Sequence, residues 1–250
     1  MKIFSIRDIH IGEGIPKVIV PLMGKNTEQL LLEIKIIKEA TPDIVEWRAD
    51  VLEEVENIEA VKKTLSAIRT ELYPTPLLFT FRSHREGGNK KITDSYYKQL
   101  LEEVVQTNEI DIIDVELFSL NVHEIVESAI ANDVFIIMSN HDFEKTPVKE
   151  EIIWRLRRMQ EFGAHIPKIA VMPKSPTDVL TLLDATYTMN SLYANRPIIT
   201  MSMASTGIIS RLAGQVFGSA ATFGSGIEAS APGQIPASEL RRMLEILHTN

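Results

Sequence analysis

Ile166-Pro167-Lys168-Ile169-Ala170-Val171-Met172 is a short apolar run with one lysine near its centre. Its length and its β-branched residues suit a buried strand better than a helix. Working outward, similar runs occur at Lys17 to Pro21, Asp43 to Arg48, Pro76 to Arg82, Asp111 to Glu116, Asp133 to Ser139, Arg196 to Ser202 and Phe217 to Gly224. Amphipathic stretches separate them, and the starts lie about 21 to 35 residues apart, room for one strand and one crossover helix each. Asn26 or Thr27 is placed to cap a helix whose Leu30, Ile34 and Ile37 form one apolar stripe. Asn57 is placed to cap another, carrying Val61, Leu65 and Ile68. Eight βα units in a row predict an α/β protein of the (β/α)8 TIM-barrel class, a single domain spanning 1–250. A doubly wound open sheet uses the same alternation and is the rival, but eight consecutive units favour closure. Met1 to Glu13 precedes the first unit and is expected to form a short N-terminal hairpin closing the barrel bottom.

Bulk properties narrow the function. At 250 residues and 44% hydrophobic content, the chain can bury one large core. The net charge of −8 and the lack of a long basic run argue against nucleic acid or an anionic membrane as partner, so an anionic ligand needs a local basic pocket. There is no cysteine, which removes disulfides, thiolate nucleophiles and Cys-ligated metals. Arg7, Asp8 and His10 interrupt the stretch where a signal peptide would be apolar, and no apolar run approaches the roughly 18 residues of a membrane span. A cytoplasmic protein is expected.

In either architecture the active site lies at the carboxyl ends of the strands. Those ends carry Glu46 and Arg48, Arg82 and Glu86, Glu116, His141, and Arg211 after strand seven. Glu46 and Arg48 are two apart on one strand and share a face, so an ion pair between them is expected; a structural salt bridge at the barrel mouth is the plainer reading. Lys168 is the most informative residue. Burial lowers a lysine's pKa. An ordinary lysine near 10.4 is roughly 0.1% free amine at pH 7.5, whereas one tuned to about 8 is roughly a quarter free amine, and that difference makes a nucleophile. A lysine turned to solvent at the strand start is the alternative. His141 follows strand five within reach of the strand holding Lys168, where it can serve as general base and acid or simply pack. Neither His-x-His, His-Glu-x-x-His nor an acidic calcium loop occurs, which disfavours a metal site. Gly87-Gly88 marks a sharp turn after strand three, and the small-residue stretch from Ser225 to Ile235 after strand eight suits a lid over a barrel mouth.

Together these residues resemble the type I 3-dehydroquinate dehydratases of the shikimate pathway. The carriers are Glu46-Trp47-Arg48, Phe79-Thr80-Phe81-Arg82 with Glu86-Gly87-Gly88, Ser139-Asn140-His141-Asp142-Phe143, and Lys168 with its apolar flanks. Met201-Ser202-Met203 through Arg211, then Ser219-Ala220-Ala221-Thr222-Phe223-Gly224 continuing to Ala229-Ser230-Ala231-Pro232-Gly233-Gln234, complete the set. The likeness covers nearly the whole chain, and the motif order matches the family.

The resemblance implies a (β/α)8 barrel, usually a homodimer, that converts 3-dehydroquinate, a small anionic substrate, to 3-dehydroshikimate without metal or organic cofactor. It makes Lys168 the imine-forming lysine and His141 the proton-transfer residue, with Glu86 orienting or tuning that histidine. Arg211 would hold the substrate carboxylate. Glu46, Arg48, Arg82, Ser230 and Gln234 would bind its hydroxyls and ketone side, while Met203 and Phe223 would pack on its ring. Pro21 stands where some members carry a serine, and Asn140 where an aromatic residue often precedes the histidine. The alternatives are another Schiff-base barrel enzyme, such as a class I aldolase, or a non-catalytic barrel that binds a metabolite.

Overall fold

A computed structural model of the protein describes residues 3–248. The chain opens with two short antiparallel strands, β1 (Phe4–Ile6) and β2 (Ile9–Ile11), paired as a hairpin. Next come β3 (Lys17–Leu22), β4 (Ile44–Arg48), β5 (Leu77–Thr80) and β6 (Ile112–Glu116). The remaining strands are β7 (Phe135–Asp142), β8 (Ile166–Val171), β9 (Ile199–Ser202) and β10 (Ala221–Phe223). All eight neighbour one another in the order β10-β3-β4-β5-β6-β7-β8-β9, and every pairing is parallel. The ring closes between its ends through a parallel bridge of Ile198 to Ser219 and the Ala220 N–H, which donates to the Ile198 carbonyl at 2.8 Å. Closure leaves no free sheet edge and settles the choice between a barrel and an open sheet.

Period-two alternation sorts the strand residues into two cores. Outward-facing Val18, Val20, Val45, Trp47, Phe79 and Val115 pack against the helices. Among these are Thr27–Ile37, with Leu30, Ile34 and Ile37 buried, and Ile58–Leu72, with Val61, Leu65 and Ile68 buried. Asn26 and Asn57 cap these two helices, accepting from the Gln29 and Ala60 N–H groups. Inward-facing Ile19, Ile44, Leu78, Ile112, Ile137, Ile166, Ile199 and Ala221, one from each strand, fill the lower barrel. Ile6 and Ile11 of the hairpin join that cluster from below, at 1% and 0% exposure, so β1 and β2 plug the amino-terminal end. Residues 1 and 2 of the expected hairpin segment lie outside the described residues.

Strand ends differ from the sequence expectation in ways that matter for the site. β7 continues to Asp142 because Asn140, His141 and Asp142 pair with Ile169, Ala170 and Val171 of β8; His141 is therefore a strand residue and not the start of a loop. β5 stops at Thr80, which leaves Phe81 and Arg82 in the following loop. β9 begins at Ile199, beyond Pro197, which lacks the N–H a ladder needs. The run from Phe217 is shorter still: Phe217 closes a helical turn, Gly214–Phe217, and Gly218 reverses the chain at φ +103° before β10 begins at Ala221.

Candidate active site

Two residues above the apolar floor the same inward face turns polar. Ile44 leads to Glu46 and Arg48, Ile112 to Asp114 and Glu116, Ile137 to Ser139 and His141, and Ile166 to Lys168 and Ala170. At this level lies a cavity lined by Glu46, Arg48, Arg82, Glu86, His141 and Lys168 with Met201, Met203 and Phe223. Gly87, Phe143 and Ala170 complete the wall, and Ser230, Ala231 and Gln234 of the loop after β10 form its roof. All but one of the residues assigned by resemblance line it. The exception is Arg211, whose guanidinium lies behind Met201 and Phe223.

Lys168 stands at the centre, 3% exposed. Its Nζ lies 3.4 Å from Asp114 Oδ2 and 4.4 Å from the centroid of the Phe223 ring. Burial pushes the ammonium below the ordinary lysine range, while Asp114 and Glu46 pull the other way and Arg82 and Arg48 add to the depression. Asp114 has no exposed surface, and its other oxygen accepts from Ser139 Oγ at 2.6 Å and from Arg82 Nη2 at 2.8 Å. Burial alone would raise its pKa, but Arg82, Lys168 and Ser139 hold it low. The lysine therefore faces a carboxylate whose stronger bonds go elsewhere.

His141 sits on the strand next to Lys168, where Ser139 pairs with Lys168 and His141 with Ala170. Its Nδ1 is 2.9 Å from Glu86 Oε2, and the same oxygen accepts the His141 backbone N–H at 2.9 Å. Glu86 Oε1 accepts from Asn140 Nδ2 at 3.0 Å, and Asn140 Oδ1 in turn accepts from Arg155 Nη1 at 2.7 Å. Burial, with Glu116 beside it, pushes the Glu86 carboxyl up to about 8 against the pull of Arg82 and the Asn140 amide. Burial also drives His141 well below the ordinary histidine range, assisted by Arg82, Lys168 and Arg48. When Glu86 is ionised, with backbone N–H and amide donors already on it, the Nδ1 proton belongs on the imidazole, which leaves Nε2 as the unprotonated nitrogen.

The expected ion pair between Glu46 and Arg48 is not the one that forms. Arg48 makes a two-pronged pair with Asp50, Nε to Oδ1 at 2.8 Å and Nη2 to Oδ2 at 2.9 Å, while Glu46 accepts from Thr80 Oγ1 at 2.8 Å. Asp50, two residues beyond Arg48, matches the guanidinium fork in plane and distance. Burial would raise the Asp50 pKa, but Arg48 and the backbone N–H groups of Asn89 and Arg82 hold it below the usual range. Arg82 is tied to three carboxylates, Asp114 at 2.8 Å, Glu116 at 2.9 Å and Glu86 at 3.6 Å, and is raised well above its ordinary value despite burial.

Arg211 is different. It is 2% exposed and has no carboxylate partner among the described residues. Its contacts are the Met201 sulfur and the carbonyls of Phe223 and Pro232 at 3.6, 3.5 and 3.3 Å, and its Nε has no hydrogen-bond partner among the described residues. Burial pushes it down to about 10. A buried guanidinium in this state keeps donors that its present contacts use only weakly.

The roof is fastened over these groups. Arg48 Nη1 donates to the Ser230 carbonyl at 3.2 Å, the Ala204 N–H to the Pro232 carbonyl at 3.1 Å, and Ser230 and Gln234 bond each other twice. Gly233 has φ +79°, and a Cβ there would strike the Ala204 carbonyl, so this closure requires glycine. Gly87 at φ +87° is likewise pressed against the Phe143 ring.

Sequence reading gave no role to Asp50, Asp114, Thr80 and Ser139, although Thr80 and Ser139 stand in motifs that carry the resemblance. A signal for three of them existed: Asp114 precedes Glu116 by two, Asp50 follows Arg48 by two, and Ser139 precedes His141 by two, the spacing that places neighbours on one face.

The barrel and its contents define a (β/α)8 protein with an amine buried among paired charges and a histidine–carboxylate couple on the adjoining strand. The chain belongs to the family described as Type I 3-dehydroquinase, whose profile matches residues 18–250. It is 60% identical over 252 aligned residues to the 3-dehydroquinate dehydratase of Bacillus subtilis, an alignment covering 100% of this chain and 99% of that one. Its structure is similar to that of the type I 3-dehydroquinate dehydratase of Clostridium difficile with covalently modified comenic acid. That match has a TM-score of 0.96 and 52% identity and covers 99% of each chain. The 3-dehydroquinate dehydratase of Enterococcus faecalis matches with a TM-score of 0.92 and 40% identity, over 98% of this chain and 100% of that one.

Proposed function

We propose that this protein dehydrates 3-dehydroquinate to 3-dehydroshikimate through an imine on Lys168, with His141 moving the protons. The observation that carries this reading is a buried amine, 3.4 Å from a carboxylate whose shorter bonds go to other donors, in a cavity also lined by a histidine whose Nδ1 is held by Glu86.

The substrate is a β-hydroxy ketone, so water cannot leave until the carbon between ketone and alcohol loses a weakly acidic proton. The Lys168 amine adds to the carbonyl carbon, and loss of the carbonyl oxygen as water gives an iminium. Its positive charge accepts the electrons of the broken C–H bond far better than a carbonyl does. His141 Nε2 takes that proton and returns it to the departing β-hydroxyl, which leaves as water. A second water then hydrolyses the imine and frees the amine. Protons and water balance over the cycle, and no electrons change hands.

The raised Glu86 and the depressed His141 fit a pair that binds one proton between them: base form when Glu86 is a carboxylate and Nε2 is bare, acid form after one proton is taken up. Arg211 is assigned the substrate carboxylate, exchanging weak carbonyl contacts for a charge-assisted pair. Glu46, Arg48, Arg82, Ser230 and Gln234 are assigned the hydroxyls and ketone side, and Met203 and Phe223 the faces of the ring.

Incubation with 3-dehydroquinate should raise the conjugated-enone absorbance of 3-dehydroshikimate, and borohydride added during turnover should leave one ligand mass on a peptide containing Lys168. Labelling of another lysine, or binding without the enone, contradicts the proposal; an aldolase would cleave a carbon–carbon bond instead. The same reading takes residues 1–250 as one catalytic domain, acting as a homodimer in the cytoplasm. The resemblance to the family supports it, and no helix among the described residues is long and apolar enough to cross a membrane. Light scattering at the monomer mass would remove the dimer.

A further inference from the structure

Arg155 projects from the outer helix Lys149–Glu161, and nothing in the reaction above employs it. Its Nη1 donates to Asn140 Oδ1 at 2.7 Å, a bond that decides which way the Asn140 amide faces. With Oδ1 occupied, Nδ2 is turned onto Glu86 Oε1 at 3.0 Å. The other oxygen of Glu86 holds both the backbone N–H and Nδ1 of His141. A continuous chain of hydrogen bonds thus runs from a helix outside the barrel to the imidazole inside it.

We propose that Arg155 and Asn140 are positioning residues that hold Glu86 as a carboxylate turned toward His141, and so keep His141 Nε2 bare and able to take the substrate proton. This rests on the reading of His141 as the proton-transfer residue.

An amide is nearly symmetric in shape but not in polarity. Released from Arg155, the Asn140 side chain can turn by half a revolution and present Oδ1 to Glu86, an arrangement that favours a protonated Glu86. Arg155 forbids that turn, and it is itself fixed: Nε donates to Glu151 Oε1 at 2.9 Å, Nη1 lies 3.7 Å from Asp142 Oδ2, and the guanidinium sits over the Phe118 ring. A guanidinium keeps its charge across the working pH range, so the chain keeps one polarity throughout.

The charges facing the Glu86–His141 couple come from several elements: Glu116 and Asp114 on β6, Arg82 after β5, Arg48 on β4 and Lys168 on β8. Removing any of those disturbs the cavity directly. The Asn140 amide is a neutral donor that, with Arg155, lines the neighbouring cleft beside Glu86 and His141 and not the cavity that holds Lys168, and neither is among the groups that perturb Lys168. Losing a donor to a carboxylate favours the protonated form, which raises the pH at which the couple becomes a base. For Asn140→Leu the acid limb of the kcat profile should move up by about one pH unit, with kcat about tenfold lower below the midpoint and KM nearly unchanged. Arg155→Met should move it the same way by about half as much, and Arg155→Lys should recover part of the loss.

Three measurements separate this from loosening of the barrel and from an error in the functional reading. First, nitrogen-15 spectra of the ligand-free enzyme should show the His141 titration shifting with the turnover profile, a readout that needs no activity. Second, the pH midpoint for borohydride trapping on Lys168 should stay where it is in the parent. Third, the parent must form the enone, and if it does not, the functional reading falls while the imidazole titration still tests the relay. An unshifted imidazole in folded Asn140→Leu and Arg155→Met overturns the proposal, and so does an equal shift of trapping and turnover. Should Asn140→Leu fail to fold, the Arg155→Met and Arg155→Lys pair on the outer helix decides alone.

Discussion

The lower and upper halves of the barrel interior are built on the same eight strands and differ in charge: the lower is apolar throughout, and the upper holds the ionised groups. Below, each strand contributes an apolar side chain, and Ile6 and Ile11 seal the end. About 7 Å higher, two residues along, the face becomes Glu46, Asp114, Ser139 and Lys168 on four strands of the ring, while Met201 and Phe223 keep it apolar on two other strands. Each floor side chain contributes roughly 1.5–3 kcal/mol by leaving water, whereas each buried ion above carries a desolvation penalty of several kcal/mol that its partners only partly offset. The floor thus stabilises the fold and holds the strands in register, and the charged tier uses that rigidity to keep an amine, an imidazole and their carboxylates at fixed distances.

Substitutions on the two levels should therefore have opposite signatures. The largest effect belongs to Lys168→Met: turnover should fall by about 10⁴-fold or more and the reductive adduct should vanish, while Tm holds or rises as an apolar chain replaces a buried ammonium. A Tm lowered by many degrees would move Lys168 to the supporting half and break the division. For His141→Ala a loss of about 10²- to 10⁴-fold in kcat is expected, with the adduct on Lys168 still trapped by borohydride. Near-normal turnover would remove His141 from the chemistry. On the floor, Ile137→Ala should lower the unfolding free energy in urea by about 2–5 kcal/mol yet leave kcat within about threefold, four residues below His141 on the same strand face though it is. A kcat that collapses with stability would mean that the floor sets the site geometry more tightly than the division allows. The smallest effect is at Arg211. Arg211→Met should raise KM roughly 10- to 100-fold through loss of a charge-assisted pair and hold or raise Tm, because an apolar chain replaces a buried guanidinium that has no carboxylate partner among the described residues. An unchanged KM argues against its role in holding the substrate.

How far the sequence could be read depended on the range of the interaction concerned. The eight strands announce themselves locally, as β-branched runs between amphipathic stretches, and their cores agree with the structure even where their ends do not. Lys168 stood out because an ammonium in an apolar strand is unusual whatever surrounds it. The pairing of Arg48 was misread: Glu46 and Asp50 both lie two residues from it, and spacing alone offers no way to choose. Asp50 wins by presenting both oxygens to the guanidinium edge, while Glu46 turns to Thr80, a partner 34 positions away in the chain. Asp114 went unnoticed for a related reason, since its importance comes from Arg82, Ser139 and Lys168 on three other segments.

From the sequence by itself came the alternation that makes a βα barrel, the inward face of each strand, and the motifs that resemble one family of dehydratases. The tertiary structure decided the rest: that the ring closes, that His141 lies within β7, that Arg82 gathers three carboxylates, and that Arg211 is left with none among the described residues. The reason is physical. Periodicity and propensity act over a few residues and are written in order along the chain, whereas partnership between buried charges depends on angstrom-scale distances between segments far apart in that order.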